Sequence, residues 1–107
     1  MANLKSEREE IKRFNGKPQP NSGRGAHKKG DATLGPFVVD VKEYEKSYSV
    51  SVSNWAKIST DARTSGFFHP ALNIVLGDPT QRRTRLWVID DDMFQEMLEA
   101  WEEKHGE

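Results

Sequence analysis

Apolar residues recur at helical spacing in three segments of the chain. The first covers residues 3–14, the second runs from a cap at Ser51 or Ser53 to about Thr64, and the third follows the acidic run at 90–92. Side chains spaced three or four residues apart share one face of a helix. We therefore expect three amphipathic helices, the last burying all of its apolar residues. The apolar positions are Leu4, Ile11, Phe14, Trp55, Ile58, Ala62, Phe94, Met97, Leu98 and Trp101.

Residues 31–46 have the pattern of a β-hairpin. A short strand starts at Asp31, the chain turns near residues 34–36, and a second strand returns from Phe37 to about Tyr44. The second strand opens with a nearly continuous apolar run, which is typical of a strand at the centre of a sheet. We therefore expect this strand to lie at the centre of the sheet.

Two further strands are predicted at residues 70–76 and 85–89, which gives the element order α-β-β-α-β-β-α. The chain has 107 residues, of which 35% are hydrophobic and 31% are charged. That length supports one domain with a modest core. We therefore expect a single α/β domain over residues 1–107, with a mixed β-sheet flanked by helices.

The composition excludes several kinds of site. There are no cysteines, which rules out disulfides, thiolate zinc sites and a cysteine nucleophile. The three histidines are scattered along the sequence and form no zinc-binding pattern. No apolar run reaches the length of a membrane span or a signal-peptide core, so we expect a soluble, intracellular protein.

Residues 15–30 form a basic segment rich in glycine and proline. Residues 1–30 carry eight Lys and Arg against three Glu, whereas residues 90–107 carry eight Asp and Glu against one Lys. A positive segment of this kind attracts nucleic acid, although a solvated loop without a ligand is the alternative. Its donors for phosphate oxygens are Ser22, Arg24, His27, Lys28 and Lys29.

Asp40 and Lys42 form the most informative motif in the chain. They lie two residues apart on a predicted strand, so both side chains leave the same face. The hairpin can bring Asp31 beside them. Two carboxylates and an ammonium group on one face suit a hydrated Mg²⁺ ion and a scissile phosphate. The alternative is an ordinary charge pair on the solvent face of a strand.

Four short motifs resemble the PD-(D/E)XK nuclease superfamily, and most of all its Holliday junction resolvase branch, which includes small archaeal and bacteriophage members. The motifs are Ser6-Glu7-Arg8-Glu9, Asn21-Ser22-Gly23-Arg24, Gly30-Asp31 and Asp40-Val41-Lys42. The resemblance covers roughly residues 4–76. One departure is Asp40, because the superfamily more often has Glu at that position.

The resemblance implies a restriction-endonuclease-like fold and a metal-dependent endodeoxyribonuclease that hydrolyses phosphodiester bonds in branched DNA during recombination. It implies that Asp31 and Asp40 bind Mg²⁺ or Mn²⁺, and we expect the Val41 carbonyl to complete the protein ligands. Lys42 then orients the attacking water, and Glu7 makes an outer contact to the metal or the water.

The same resemblance implies DNA as partner, a homodimer that makes paired cuts, and the cytoplasm of a bacterial or phage-infected host cell. Glu9 and Glu10 are alternatives to Glu7, which we choose because it lies on the apolar face of its helix. The predicted DNA contacts are Ser22, Arg24, His27, Lys28, Lys29, Lys57 and Arg63. The predicted dimer interface lies around Phe67, Phe68 and Trp101.

Two other functions stay open at the level of the sequence. The chain could be a nicking or single-strand-preferring endonuclease of the same fold, or a non-catalytic DNA-binding protein with a nuclease-like fold. An RNA-binding module is disfavoured because Phe37 and Trp87 stand alone and are predicted to lie in the core. The basic residues at 82–85 are predicted to form a solvated hairpin tip rather than a DNA contact.

Overall fold

The computed structural model describes residues 4–18, 31–66 and 69–106. These ranges contain three helices and five strands, and none of the helices in them is long and apolar enough to cross a bilayer. The helices are α1 (Leu4–Arg13), α2 (Val52–Thr64) and α3 (Asp91–Lys104). The strands are β1 (Lys17–Pro18), β2 (Ala32–Leu34), β3 (Phe37–Tyr44), β4 (His69–Leu76) and β5 (Thr84–Val88).

The five strands form one mixed sheet in the order β1-β2-β3-β4-β5. Only β3 and β4 are parallel; the other neighbours are antiparallel. The parallel pairing runs from Phe37 opposite His69 to Tyr44 opposite Leu76, and α2 makes the crossover between the two strands. The predicted α/β class and mixed sheet are therefore confirmed, with β3 in the centre.

The predicted element order was wrong in one respect, because it lacked β1. Residues 15–30 were expected to be a loop, but Lys17 and Pro18 pair antiparallel with Thr33 and Ala32. A strand of two residues is too short to produce an alternating pattern in the sequence. Proline is also tolerated there because β1 is an edge strand, where one missing N–H costs little.

Helix α2 covers one face of the sheet. The side chain of Ser51 caps it by accepting a hydrogen bond of 3.1 Å from the backbone N–H of Asn54. Ser51 is therefore the cap, rather than Ser53. Ile58 of α2 packs on Leu72 and Ile74 of β4 and is buried with them.

Helix α1 covers the opposite face. Its Ile11 is buried against Val39 and Val41 of β3 and against Ala71 of β4. These residues alternate along their strands with those under α2, as expected of a sheet with two covered faces. The hydrophobic core therefore has two layers, which meet at β3 and β4.

The prediction that α3 buries its apolar residues was wrong. Asp90 caps α3 by accepting a hydrogen bond of 2.8 Å from the Met93 N–H, and Met93 is buried. Beyond that first turn the apolar stripe is open, because α1 and α2 already cover the two faces of the sheet. The exposed fractions are 52% for Phe94, 50% for Met97, 37% for Leu98 and 56% for Trp101. Trp87 of β5 was also expected in the core, and it is 44% exposed.

Candidate active site

Asp31 lies beside β3, directly before the first residue of β2. Its backbone N–H donates to the carbonyl of Val39 at 2.9 Å, and its carboxylate accepts a hydrogen bond of 2.6 Å from the N–H of Val41. The strand β2 begins only at Ala32, so the carboxylate supplies the acceptor that the Val41 amide would otherwise find in a longer β2. The hydrogen bond holds Asp31 against the backbone between Asp40 and Lys42.

Asp40 and Lys42 both project from β3 toward the face that α2 covers. They stand in register with Leu72 and Ile74 of β4, which pack under α2. Val41 between them is buried on the α1 face, and both charged residues are half-buried. The predicted common face of the acid and the lysine is therefore present in the structure.

Glu7 reaches the same region from α1. Its side chain is within hydrogen-bonding reach of the Asp31 carboxyl group, and the charges of Asp40 and Lys42 act on it. Of the other two candidates, Glu9 is exposed and Glu10 is buried in an ion pair with arginines. The structure therefore brings Glu7, and neither Glu9 nor Glu10, to Asp31.

The carboxyl groups in this cluster hold their protons more tightly than usual. Burial, followed by the nearby charge of Glu7, raises the pKa of Asp31 to about 6, although the Val41 N–H and Lys42 oppose the rise. Burial and the charge of Asp31 raise the pKa of Asp40 to about 6, against the opposing charge of Lys42. The pKa of Glu7 is also raised, chiefly by burial. Such shifts arise when like charges share a dry site.

The oxygen atoms at this edge are of the chemical kind that hard divalent cations bind. Backbone groups of one strand residue point to the same side, so the Val41 carbonyl lies on the side where its N–H meets Asp31. Carboxylate and carbonyl oxygens are the ligands that Mg²⁺ and Mn²⁺ prefer, and a cation would relieve the repulsion between Asp31 and Asp40. Within residues 4–18, 31–66 and 69–106, no three acidic or histidine side chains are arranged to hold a metal ion. The metal ligands predicted from the sequence are only two carboxylates, of Asp31 and Asp40, and the carbonyl of Val41.

The predicted DNA contacts fall into two groups. Ser22, Arg24, His27, Lys28 and Lys29 lie outside the described residues. Lys57 and Arg63 are exposed on α2, and the charge of Lys57 acts on Asp40 to lower its pKa. Of these two residues, Lys57 is therefore the one that the structure places near Asp40.

Asp61 was not predicted as part of the site. It lies one turn after Lys57 on α2, is half-buried, and its negative charge helps to raise the pKa of Asp40. The spacing of four residues between Lys57 and Asp61 gave a signal in the sequence, because such residues share a helix face. The α2 side of the cluster therefore contains one positively charged and one negatively charged side chain.

The basic residues at 82–85 are not all solvated, which corrects the prediction for them. Arg82 is exposed, but Arg83 and Arg85 form ion pairs with the buried carboxylates of Glu10 and Glu43. The sequence contains an indication of this pairing, because Glu43 continues the alternation of Val39 and Val41 and so falls on the buried face of β3. A carboxylate in such a position needs a cationic partner.

Comparison of the chain with protein-family models, curated proteins and solved structures finds no match in any of the three. The function therefore has to be inferred from the side chains at the edge of β3. The resemblance to resolvases stays a prediction.

Proposed function

We propose that this protein is a metal-dependent endodeoxyribonuclease, similar to Holliday junction resolvases, that hydrolyses phosphodiester bonds in branched DNA. The observation that carries the proposal is the gathering of Glu7, Asp31, Asp40 and Lys42 around one part of β3. The restriction-endonuclease-like assignment of the fold belongs to the same proposal. It is supported by a mixed sheet covered by α1 on one face and α2 on the other.

Asp31, Asp40 and the Val41 carbonyl would hold Mg²⁺ or Mn²⁺. When bound, the ion supplies positive charge to the phosphate and a water molecule of lowered pKa. The hydrogen bond from Val41 to Asp31 keeps the carboxylate in place before any ligand arrives. Such preorganisation is valuable because the ligand oxygens need not rearrange during the reaction.

Lys42 is suited to align the attacking water and to offset the negative charge that grows on the phosphate oxygens. Its ammonium group lies close enough to Asp31 and Asp40 to lower the pKa of both. Glu7 acts through Asp31, because its side chain helps to raise the pKa of the Asp31 carboxyl group. Asp31 must be ionised to serve as an anionic ligand, so protons compete with the cation as the pH falls through about 6.

DNA is the expected substrate because the cluster is accompanied by exposed cationic side chains. Lys57 on α2 offers a phosphate contact near Asp40, and Arg63 is exposed further along the same helix. Contacts to phosphate position a nucleic acid but do not read its sequence. We therefore expect recognition of DNA shape, such as a branch point, rather than of a base sequence.

A second copy of the chain is the proposed partner. Resolution of a four-way junction requires two symmetric incisions, which a dimer with a two-fold axis supplies. The apolar stripe of α3 supports this arrangement, because Phe94, Met97, Leu98 and Trp101 recur at the spacing of a helix–helix contact and are exposed. Trp101 was predicted to take part, whereas Phe67 and Phe68 lie outside the described residues.

The decisive experiment incubates the purified protein with four-way, flap, duplex and single-stranded DNA, with Mg²⁺ and with EDTA. Paired symmetric cuts in the junction that require Mg²⁺ are the expected result. Preference for single strands, or single nicks in duplex, would favour the other endonuclease activity. Salt-sensitive binding without cleavage under Mg²⁺ or Mn²⁺ would contradict the proposal and indicate a non-catalytic DNA-binding protein.

A further inference from the structure

Arg83 links three elements of the fold by ion pairs. Its Nη2 donates to Glu10 Oε2 of α1 at 3.0 Å, and its Nη1 donates to Glu43 Oε1 of β3 at 3.0 Å. Arg83 itself directly precedes β5. Its side chain is 13% exposed, against 5% for Glu10 and 6% for Glu43. These contacts are therefore largely withdrawn from water, where ion pairs with good geometry are most sensitive to the loss of one partner.

The same contacts hold α1 on the sheet. Arg85 adds two hydrogen bonds to Glu10, at 3.0 Å and 3.1 Å, and the Ser6 hydroxyl donates to Glu43 Oε1 at 2.7 Å. A helix of ten residues is marginal by itself, so its position depends on what it packs against. Among the side chains that the structure describes from residue 6 onward, the apolar contacts come from Ile11 of α1 and from Phe14 just beyond its end. The ion pairs supply the remaining anchors.

Glu7 lies within this anchored part of α1. It follows Ser6 directly and precedes Glu10 by one turn, so it shares a helix face with Glu10. A shift of α1 that separates Glu10 from Arg83 also moves Glu7 relative to Asp31. A displacement of about 1 Å in a catalytic arrangement can lower a rate by about 100-fold.

We propose that Arg83 is a positioning residue of the site, which holds α1 so that Glu7 meets Asp31 at the edge of β3. The inference rests on the proposed nuclease function for its catalytic consequence. Arginine is required because its planar guanidinium presents separate nitrogens to Glu10 and Glu43 at the same time. A lysine ammonium group is a single point charge that cannot reproduce this fork.

The test compares Arg83→Met and Arg83→Lys with Arg82→Met, a control at the adjacent exposed arginine. Hydrogen exchange followed by mass spectrometry reports on peptides from α1 and from β4. Both Arg83 variants should exchange faster in α1 and at the parental rate in β4, whereas the control should match the parent in both. If Arg83→Met does not fold, Arg83→Lys carries the test, because it keeps the charge and most of the side-chain volume.

The second measurement is cleavage of a four-way junction under single-turnover conditions. Both Arg83 variants should cut on the order of 10- to 100-fold more slowly, with DNA affinity close to that of the parent. In a Glu7→Gln background, Arg83→Met should cause no further loss, because the residue it positions is already gone. A purely structural role would instead lower the rate by the same factor in both backgrounds.

The outcomes separate the two proposals. Parental exchange in α1 for Arg83→Met, or parental cleavage despite faster exchange, would overturn the positioning role. If the parent cuts no DNA, the nuclease proposal fails alone, and the exchange data still decide whether Arg83 anchors α1.

Discussion

The backbone N–H of Val41 donates a hydrogen bond of 2.6 Å to the carboxylate of Asp31. This contact joins the start of the β2–β3 hairpin to the residue between Asp40 and Lys42. It also satisfies a backbone donor at a strand edge that β2 leaves open. One bond therefore both completes the sheet and orients the carboxylate, which makes Asp31 the first residue to test.

We expect Asp31→Asn and Lys42→Ala to abolish cleavage of branched DNA while leaving DNA affinity within a few-fold of the parent. Removal of one preorganised charged group of this kind lowers a rate by about 100- to 1,000-fold, whereas phosphate contacts elsewhere sustain binding. Single-turnover cleavage and a fluorescence binding titration measure the two effects. Lys46→Ala, at an exposed lysine just beyond β3, should behave as the parent. Full activity of the Asp31 and Lys42 variants would refute the site.

Asp40→Asn should make the metal-free protein more stable at neutral pH. The carboxyl group titrates at about 6 in the folded state against 3.8 unfolded. As the pH rises, Asp40 therefore ionises at a lower pH in the unfolded chain than in the folded protein. The unfolding free energy of the parent falls as the pH rises from about 4 to about 6. The variant should gain about 1–2 kcal/mol in unfolding free energy at pH 7.5 and nothing at pH 4.

Urea denaturation in EDTA at the two pH values measures this gain. Glu45→Gln, at an exposed residue after β3, controls for the loss of one negative charge. A gain of equal size at pH 4 and pH 7.5 would show that Asp40 is not destabilised by its ionisation.

Mn²⁺ should bind more weakly as the pH falls below about 6. The predicted ligands Asp31 and Asp40 both have a pKa of about 6, so protons compete with the cation in that range. At a Mn²⁺ concentration about 100 times Kd, the unfolding free energy should rise by about 2.7 kcal/mol at pH 7.5. Calorimetric titration with Mn²⁺ at pH 5.5 and pH 7.5 tests this competition. Asp40→Asn removes one of the two competing carboxylates and should reduce the difference in affinity between the two pH values. Equal affinity at both pH values would exclude these carboxylates as ligands.

Trp101→Glu should convert the proposed dimer into a monomer without unfolding it. Trp101 is 56% exposed in the single chain, so a charge at this position costs little stability in the monomer. In the proposed dimer the same charge would be buried in the helix–helix contact, which is unfavourable. Light scattering after size exclusion gives the mass, and circular dichroism gives the helix content. Glu96→Gln, on the opposite side of α3, should remain dimeric. A monomeric parent would contradict the proposed partner.

The central strand and its motif could be predicted because local rules decide them. The bounds of β3 follow from an apolar run that ends in alternation, and the start of α2 follows from a cap at Ser51 or Ser53, of which the structure selects Ser51. The meeting of Asp40 and Lys42 on one face needs only the two-residue period of a strand. These features depend on neighbours in the sequence rather than on distant parts of the chain.

The features that were missed depend on distant contacts. The apolar stripe of α3 has the same pattern whether it faces the core or a partner, so the sequence could not distinguish the two. The pairing of Arg83 with Glu10 joins residues 73 positions apart. The structure brings Glu7 to Asp31, and the position of the arginines explains why Glu10 is engaged elsewhere.

The parallel pairing of β3 with β4 has a consequence for synthesis of the protein. Phe37 lies beside His69, and Tyr44 beside Leu76, so β3 cannot acquire its parallel neighbour until the ribosome has passed the crossover helix. Contacts between residues so far apart close slowly. A nascent chain that carries the aspartates but lacks β4 has no covered sheet to hold them together, so fragments released early should neither capture a cation nor cut DNA.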